Sequence, residues 1–336
     1  MNEEFPFKFS VPFNNDLSII EDLKKYEDKI YEIFFPCNKT IMGSGRNWNY
    51  KNEDYDETIF KIIEKTNNTG IKSNMLFNPT CIPPQLYTKK GIKTLIEYLK
   101  PFVEAGLTSL TFTDLILTKI IKKEYPQLEI YASVNAMINS LAKVKYWENF
   151  AKIDGFTLDK EIGKNINLIK RIRENTKIKI KLLVNDYCIH DCPFRIQHMN
   201  SNSHDTRVSH IYRNTCYKLI KNKPWEFYLD STIAPYNLKY YQGIIDIIKI
   251  GGRDYSDKKI IFDFIESYTE MKSLDYYPPL LYKKEIAENP LFEKMGLKKE
   301  PIGVFEKISK CNRDCEKCNW CKEKYFEDMN KTKNAA

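Results

Sequence analysis

Two regular patterns of apolar and polar residues alternate along most of the chain. One is a short run rich in β-branched and aromatic residues, which is typical of a buried strand. The other has the period of an amphipathic helix: in residues 93–105 the apolar side chains fall on one stripe, and Gly106 follows. We predict strands over Phe7–Val11, Ile30–Phe35, Lys72–Phe77, Ser109–Phe112, Glu129–Val134, Gly155–Leu158, Ile178–Val184, Glu226–Leu229 and Ile244–Ile250.

The alternation of strand and helix predicts an α/β fold with a parallel sheet. Eight or nine such units fit a closed (β/α)8 TIM-like barrel better than an open sheet, and no G-x-G-x-x-G motif follows the first strand. After Pro278 and Pro279 the alternation stops. We therefore predict a barrel over residues 1–271, a C-terminal cysteine-rich extension over 272–330 and a disordered tail over 331–336.

Polar residues stand at the ends of most of the predicted strands. In barrels of this class the carboxyl ends of the strands form the rim on which active sites are built. The alternative explanation is that the same residue types cap the helices that follow. The residues are Asn78, Asp114, Asn135, Asp159, Asn185 and Asp230.

The composition, 42% hydrophobic and 29% charged, is that of a globular protein with a large core. Lys and Arg outnumber Asp and Glu by 53 to 45, and the net charge of +8 favours an acidic partner such as RNA or an acidic peptide. No apolar stretch reaches the ~20 residues of a membrane helix, and the first residues are acidic. These features predict a cytoplasmic protein without a membrane partner.

Nine cysteines in a chain without a recognisable export signal indicate metal ligation rather than disulfides. Three of them, Cys188, Cys192 and Cys216, share one segment with every histidine of the chain. This segment follows the predicted strand Ile178–Val184 and so belongs to the rim, where thiolates bind soft metals. The histidines are His190, His198, His204 and His210.

A four-cysteine iron-sulfur site needs one more ligand. Cys37 and Cys81 each follow a predicted strand closely and so reach the same rim; we favour Cys37, and a small buried side chain is the alternative role of either. Zinc is the alternative metal, since mixed Cys and His ligands suit its tetrahedral preference. Ligands scattered over several strands favour the iron-sulfur cluster.

A second group of cysteines lies in the predicted extension. Its thiols are separated by three, two and two residues, which is close enough for one tetrahedral metal ion or one cubane cluster. The spacing fits zinc and a second iron-sulfur cluster equally well. The residues are Cys311, Cys315, Cys318 and Cys321.

Two glycine-containing turns are candidate phosphate sites: residues 43–46 (Gly-Ser-Gly-Arg) and residues 251–253 (Gly-Gly-Arg). Backbone N–H groups of such turns bind phosphate in barrels, while a tight turn with positive φ is the ordinary explanation. Glu161, just beyond a predicted strand, is a candidate general acid/base or substrate anchor. A solvated carboxylate at a helix start is the alternative.

The order of these motifs resembles the collagenase-like peptidase family U32, whose relatives include iron-sulfur RNA and ubiquinone-pathway hydroxylation proteins. Residues 158–162 (Leu-Asp-Lys-Glu-Ile) look like the family's motif ending in Arg-Glu-Leu, and residues 183–188 (Leu-Val-Asn-Asp-Tyr-Cys) are placed like its cysteine segment. Glu161 and Cys188 match residue for residue. The chain departs from the family in Asp159-Lys160, where Ser-Arg is usual, in its Cys-x3-Cys spacing and in its cysteine tail.

The resemblance implies a [4Fe-4S] cluster on the barrel rim, bound by four cysteines. We therefore expect an iron-sulfur enzyme that modifies RNA or a peptide, by oxygen-independent hydroxylation, with a possible electron donor or partner subunit. The expected cluster ligands are Cys37, Cys188, Cys192 and Cys216. The expected catalytic residues are Glu161, Asp159 and Asp230, and the expected substrate-binding residues are Arg253, Asn135 and His198.

Two other functions remain open at this point. One is a peptidase or hydrolase of the U32 type, although no Ser-His-Asp arrangement or His-Glu-x-x-His helix is present, and cysteines that bind a cluster do not act as nucleophiles. The other is a non-catalytic scaffold that binds RNA or protein and is stabilised by its metals. Steep salt dependence of binding without turnover would identify the scaffold.

Overall fold

Eight parallel strands form a closed barrel in the computed structural model, which describes residues 5–38, 40–45, 54–186, 188–204, 209–252, 257–272 and 303–334. The strands are β1 Lys8–Pro12, β2 Ile30–Pro36, β3 Lys72–Phe77, β4 Ser109–Phe112, β5 Glu129–Ala132, β6 Gly155–Thr157, β7 Lys179–Leu183 and β8 Ile247–Lys249. Each strand pairs with the next along the chain, and β8 pairs with β1 to close the barrel. The predicted TIM-like fold is confirmed.

Helices follow the strands and cover the outside of the barrel. They are α1 Ser18–Asp22, α2 Tyr55–Asn67, α3 Lys89–Glu104, α4 Leu115–Glu124, α5 Leu141–Tyr146, α6 Ile166–Glu174, α7 Arg195–Ser203, α8 Ser209–Asn222, α9 Lys259–Thr269, α10 Val304–Ile308 and α11 Trp320–Asn334. In the described part of the chain, no helix combines the length and apolarity needed to span a membrane.

Helix capping explains why some of the predicted strands are followed by a polar residue. Asp114 accepts a hydrogen bond from the Leu117 N–H and so caps α4, as the alternative explanation required. Thr88 caps α3 in the same way through the Gly91 N–H, so this helix begins four residues before the apolar stripe that predicted it. A stripe marks the buried face of a helix, whereas its capping residue marks the start.

One predicted strand is wrong. Residues Pro224–Leu229 form a 3₁₀ helix, and β7 pairs directly with β8 through Lys181 and Ile247. Pro224 opens this helix, where the fixed φ of proline and its missing N–H are tolerated. Tyr228 of the predicted strand and Trp225 just before it instead face the C-terminal helix α11.

The interior of the barrel carries charge. Glu32 on β2 is fully buried, and its carboxylate accepts hydrogen bonds from Lys181 Nζ (2.5 Å), Asn74 Nδ2 (2.8 Å) and Ser10 Oγ (2.6 Å). Burial alone would raise the pKa of this carboxyl, but Lys181 and Lys249 lower it, so Glu32 is ionised. Four strands, β1, β2, β3 and β7, are thereby joined at one side chain.

The C-terminal segment packs on the connection between β7 and β8. On α10, the Phe305 ring stacks on Tyr240 with centroids 5.0 Å apart. On α11, Asp328 accepts a hydrogen bond from the Tyr228 hydroxyl at 3.0 Å. Helix α11 continues to Asn334, past the point at which we predicted a disordered tail, and residues 273–302 of the predicted extension lie outside the described residues.

A pair of helices, α7 and α8, lies between β7 and β8 at the carboxyl end of the barrel. At the end of α7, Ser203 Oγ accepts a hydrogen bond from the Thr80 N–H (2.9 Å), in the loop after β3. The carbonyl of Ser203 lies 3.5 Å from the position that a Cβ would take on Gly43, in the loop after β2. The helix therefore reaches across the rim from β7 toward β2 and β3.

Candidate active site

The three rim cysteines lie together. Cys188 and Cys192 belong to the loop between β7 and α7, and Cys216 lies on α8, which packs beside α7. The Cys192 thiol is next to the thiols of both Cys188 and Cys216 and interacts with each of them. Ile189 and Phe194 pack around the three thiols. The chain thus brings together cysteines that are up to 28 residues apart (188 to 216) in the sequence.

The three thiols differ in pKa because of their contacts with one another. The interaction with Cys192 and burial both raise the pKa of Cys188. The interaction with Cys192 lowers the pKa of Cys216, so Cys216 ionises most readily. Thiolates are the ligands that iron-sulfur clusters and other soft metals take, and three adjacent thiols suit such a group.

The thiols form a chain and do not surround a common point. Within the described ranges, no three Cys, His, Asp or Glu side chains converge as the ligands of a single ion do. The donor set itself fits a [4Fe-4S] cluster, because it offers three thiols on one rim segment beside the apolar side chains of Ile189 and Phe194.

The two candidates for a fourth cysteine lie toward the other end of α7. The thiol of Cys37 is fully buried and donates to the carbonyl of Gly43 at 3.3 Å. The N–H of Cys81 faces Ser203 Oγ at 3.5 Å. Ser203 is eight residues, or about 12 Å, along α7 from Arg195, which lies near Cys192. Cys37 and Cys81 are therefore nearer the far end of α7 than the end that carries the other three thiols. The preference for Cys37 over Cys81 stays a prediction.

Arg195 joins two of the predicted catalytic acids. Its guanidinium contacts Asp159 Oδ1 (2.7 Å) and Glu161 Oε1 (2.8 Å), and the same Asp159 oxygen accepts the Glu161 N–H. Arg195 and Asp159 are buried, whereas the Glu161 side chain keeps 23% of its surface exposed. Glu161 is therefore the more exposed of the two acids, and Asp159 positions Arg195.

Two lysines form buried ion pairs beneath the same loop. The ammonium group of Lys160 lies 3.1 Å from Asp186. Burial lowers the pKa of Lys160, but the negative charges of Asp186 and the adjacent Cys188 outweigh burial and raise the pKa above its usual value. Lys160 is therefore a cation beside the thiols. Lys164 binds Asp230 at 3.0 Å, and both side chains are almost completely buried. Asp230, which we predicted to be catalytic, is thus buried against Lys164, and its catalytic role stays a prediction.

His190 meets the C-terminal cysteine segment at the rim. Burial and the charge of Arg313, which lies between Cys311 and Cys315, lower the pKa of His190. Its Nε2 lies 3.2 Å from an oxygen of Asp191, but this pair is ionic only when His190 is protonated. Because both causes favour the neutral ring, His190 is an uncharged side chain near neutral pH.

The predicted substrate-binding residues have different surroundings. Asn135 Nδ2 donates to the carbonyl of Asn78, just after β3, at 2.9 Å and lies against Gly45 in the loop after β2, where any side chain would clash with it. The His198 ring stacks on Tyr212 with centroids 5.5 Å apart. Arg253 lies outside the described residues.

The glycine turns show their ordinary role where they are described. Gly43 has φ of +81°, as the tight-turn explanation required. The Gly251 N–H, which we expected to face a phosphate, donates to Asn185 Oδ1 at 2.6 Å, and Asn185 Nδ2 donates back to the Gly251 carbonyl. This N–H group is therefore already paired within the protein. Arg46 lies outside the described residues.

Arg195 escaped the sequence analysis. Its only local signal is its position in Cys192-Pro-Phe-Arg, three residues after a predicted ligand. Two neighbouring carboxylates at one rim position, Asp159 and Glu161, require a cation nearby, and this requirement is the signal that points to Arg195.

We expect Arg195→Lys to lower the free energy of unfolding by about 1–3 kcal/mol, because a single ammonium group cannot reproduce the two-sided contact with Asp159 and Glu161. Denaturant unfolding of the variant measures this loss. Arg171→Lys, the same change at an exposed position on α6, is the control and should stay within about 0.5 kcal/mol of the wild type. Equal stability of the two variants would contradict the assignment.

A sequence model of peptidase family U32 matches residues 51–253, which run from before α2 to just past β8. An uncharacterized protease of Methanocaldococcus jannaschii is 29% identical over 310 residues, covering 89% of each chain. The tRNA hydroxylation protein P of Escherichia coli is 37% identical over 57 residues, which are 17% of this chain and 13% of that protein.

A solved structure of a U32 peptidase is similar in fold. The TM-score is 0.52 at 15% sequence identity, and the match covers 75% of this chain and 95% of that chain. The matched family region contains α7, α8 and all three rim cysteines, whereas the C-terminal cysteine segment lies beyond it. A family named for peptidases and a shared barrel indicate an enzyme.

Proposed function

Because the chain belongs to peptidase family U32, we propose that it is an iron-sulfur enzyme that hydroxylates RNA without using molecular oxygen. The observation that carries the proposal is the contact of Cys188, Cys192 and Cys216 on the rim that also carries the ion pair of Glu161 and Arg195. Barrel enzymes build their active sites on this rim.

The cluster would be held by Cys188, Cys192 and Cys216 with Cys37 as the predicted fourth ligand. When bound, such a cluster supplies one-electron redox chemistry or an iron site that activates a small molecule. Lys160, a buried cation beside Cys188, offsets the negative charge of the thiolates.

The protein side chains next to the thiols bind and orient the substrate. Glu161 has an exposed carboxylate that can accept a hydrogen bond or a proton from the substrate, and Arg195 fixes its direction. Asp159 in turn fixes Arg195, so the acid that meets the substrate rests on a rigid, buried pair.

The proposed reaction replaces a C–H bond of a nucleobase by C–OH. An oxygen-atom donor other than molecular oxygen, a small co-substrate, transfers its oxygen to the carbon and leaves reduced by two electrons. The C–H carbon is oxidised by the same two electrons, and its proton passes to the new hydroxyl oxygen, so the reaction is balanced.

RNA is favoured as the substrate by two observations. The net charge of +8 attracts a polyanion. The 57-residue similarity to a protein named for tRNA hydroxylation supports the same substrate class. Neither observation depends on the rim geometry, so substrate and cluster can be tested separately.

The test compares RNA from cells that lack the protein with RNA from cells that express it, both grown without oxygen. We expect one nucleoside to become heavier by a single oxygen atom only when the wild type is present, as measured by mass spectrometry of digested RNA. Glu161→Gln keeps the size of the side chain and should retain iron while lowering the modified fraction about 100-fold.

Unchanged modification by Glu161→Gln would contradict its role, and absence of any oxygen-bearing nucleoside would contradict the reaction. The second candidate function is peptidase activity, which is favoured by the name of the M. jannaschii relative. Cleavage of casein or gelatin that persists in Cys188→Ala would support the peptidase, because the proposed enzyme requires that thiol.

A further inference from the structure

We propose that the C-terminal cysteine segment, residues 311–321, binds a metal centre of its own through four thiolates and that this centre keeps the segment folded against the barrel. Zinc and an iron-sulfur cubane are the two centres that this ligand set fits, because each accepts four thiolates. The centre is separate from the rim thiols and does not rest on the proposed function.

Helices fix both ends of the segment to the barrel. Before it, Phe305 of α10 is buried and Glu306 accepts a hydrogen bond from the Tyr240 hydroxyl at 2.7 Å. After it, the Phe326 ring of α11 lies 6.2 Å from Trp225, and Asp328 binds Tyr228. The cysteines therefore occupy a loop whose two ends are held close to the connection between β7 and β8.

The loop between these helices has no apolar core of its own. Between residues 311 and 319 every side chain other than the cysteines is polar or charged, and residues 314–319 are all exposed. The few internal hydrogen bonds are local: the Cys315 N–H donates to the Arg313 carbonyl, and the Arg313 N–H donates to Cys311 Sγ at 3.3 Å. Such a loop needs a cross-link to hold one conformation, and structural metals supply this in small loops.

The four thiols follow one another at intervals of three, two and two residues, which is close enough for four ligands of one tetrahedral ion or one cubane. Four thiolates this close repel each other unless a cation neutralises them. Arg313 is one such cation, and its charge interacts with Cys311, Cys315 and Cys321.

In the described residues the four thiols do not yet surround a common point, so the proposed metal draws them together. Cys315 and Cys318 are exposed, so their χ angles are free to turn toward the half-buried Cys311 and Cys321. Arg313, at the tip of the turn with φ of +65°, extends toward the rim and places its charge beside His190 and Asp191. A metal that locks this turn also locks the contact with the rim loop.

The experiment uses the full chain purified without oxygen and measures zinc, iron and sulfide per chain in the double variant Cys315→Ser, Cys318→Ser. Both positions are exposed, so the replacements leave the barrel core intact. We expect the variant to lose one metal centre, either a single zinc ion or one set of cluster iron and sulfide, while the rim thiols keep theirs. Lys317→Ser, Asn319→Ser is the matched control in the same exposed loop and should keep the full content.

Limited proteolysis gives a second readout. We expect the loop of the double variant to be cleaved at least about 10-fold faster than that of the control, because the unmetallated segment opens more often. Metal content equal to that of the control, with unchanged cleavage, would overturn the proposal. Loss of the rim cluster alone, in Cys216→Ala, would leave this second centre in place, so the two claims fail separately.

Discussion

Lys181→Met lowers the free energy of unfolding by about 3–5 kcal/mol, because the change leaves the carboxylate of Glu32 in the barrel interior without its closest cation. The two groups are 2.5 Å apart, and both side chains are at most 1% exposed. Methionine keeps the length of the side chain and its contact with the Tyr131 ring, so the expected loss reports mainly on charge. The midpoint of denaturant unfolding measures it.

Two further variants make this prediction specific. Lys179→Met changes the same residue type two positions earlier on β7, where the side chain is 40% exposed. This change should lower the free energy of unfolding by at most about 1 kcal/mol. Adding Glu32→Gln to Lys181→Met removes the uncompensated charge and should recover part of the lost stability. If Lys181→Met were no more costly than Lys179→Met, the interior ion pair would not stabilise the barrel.

The second large effect is expected from Cys216→Ala. Cys216 is the most acidic of the three rim thiols and is the only one that α8 contributes. Its removal should abolish the visible absorption of the rim cluster and the iron and sulfide that belong to it. Absorption spectra and metal analysis of anaerobically purified protein measure the loss.

Thr215→Ala is the matched control for Cys216→Ala. It is the preceding residue on the same helix, and its hydroxyl donates to the Ile211 carbonyl one turn earlier. The control should keep all the iron, so a loss confined to Cys216→Ala cannot arise from unfolding of α8. The iron content of Cys37→Ala and Cys81→Ala, measured in the same series, identifies the fourth ligand. We expect Cys37→Ala to lose iron and Cys81→Ala to keep it. Full iron content in Cys216→Ala would contradict the proposed ligand set.

The fold could be predicted from the sequence because its strands are short apolar runs that alternate with helical stripes. The exception, residues 226–229, has the composition of a strand, but Pro224 and the packing against α11 make it a 3₁₀ helix. Composition alone does not distinguish a buried strand from a short aromatic helix, and the partner of this segment lies about 100 residues later in the chain (228 to 328).

The site could be predicted only in part. Cys188, Cys192 and Cys216 were found from their clustering with histidines, and the structure brings them into contact. Arg195 and the Glu32–Lys181 pair were missed, because an ion pair between distant residues leaves no local pattern. The alternate lysines of β7, Lys179 and Lys181, were a usable signal, since every second residue of a barrel strand faces the interior.

The roles of the predicted acids also depended on distant partners. Asp159, Glu161 and Asp230 are all carboxylates beside the rim, yet Asp230 is buried on Lys164 while Glu161 stays exposed. The difference in burial among these acids follows from the cation that each one contacts. No spacing rule in the sequence contains that information.

The central claim is that the three rim thiols hold an iron-sulfur cluster, and its most direct test is the iron, sulfide and zinc content of the wild-type chain purified without oxygen. The account predicts about four iron and four sulfide per chain for the rim cluster, with a broad visible absorption that disappears in Cys216→Ala. Zinc alone, with neither iron nor sulfide, would contradict it.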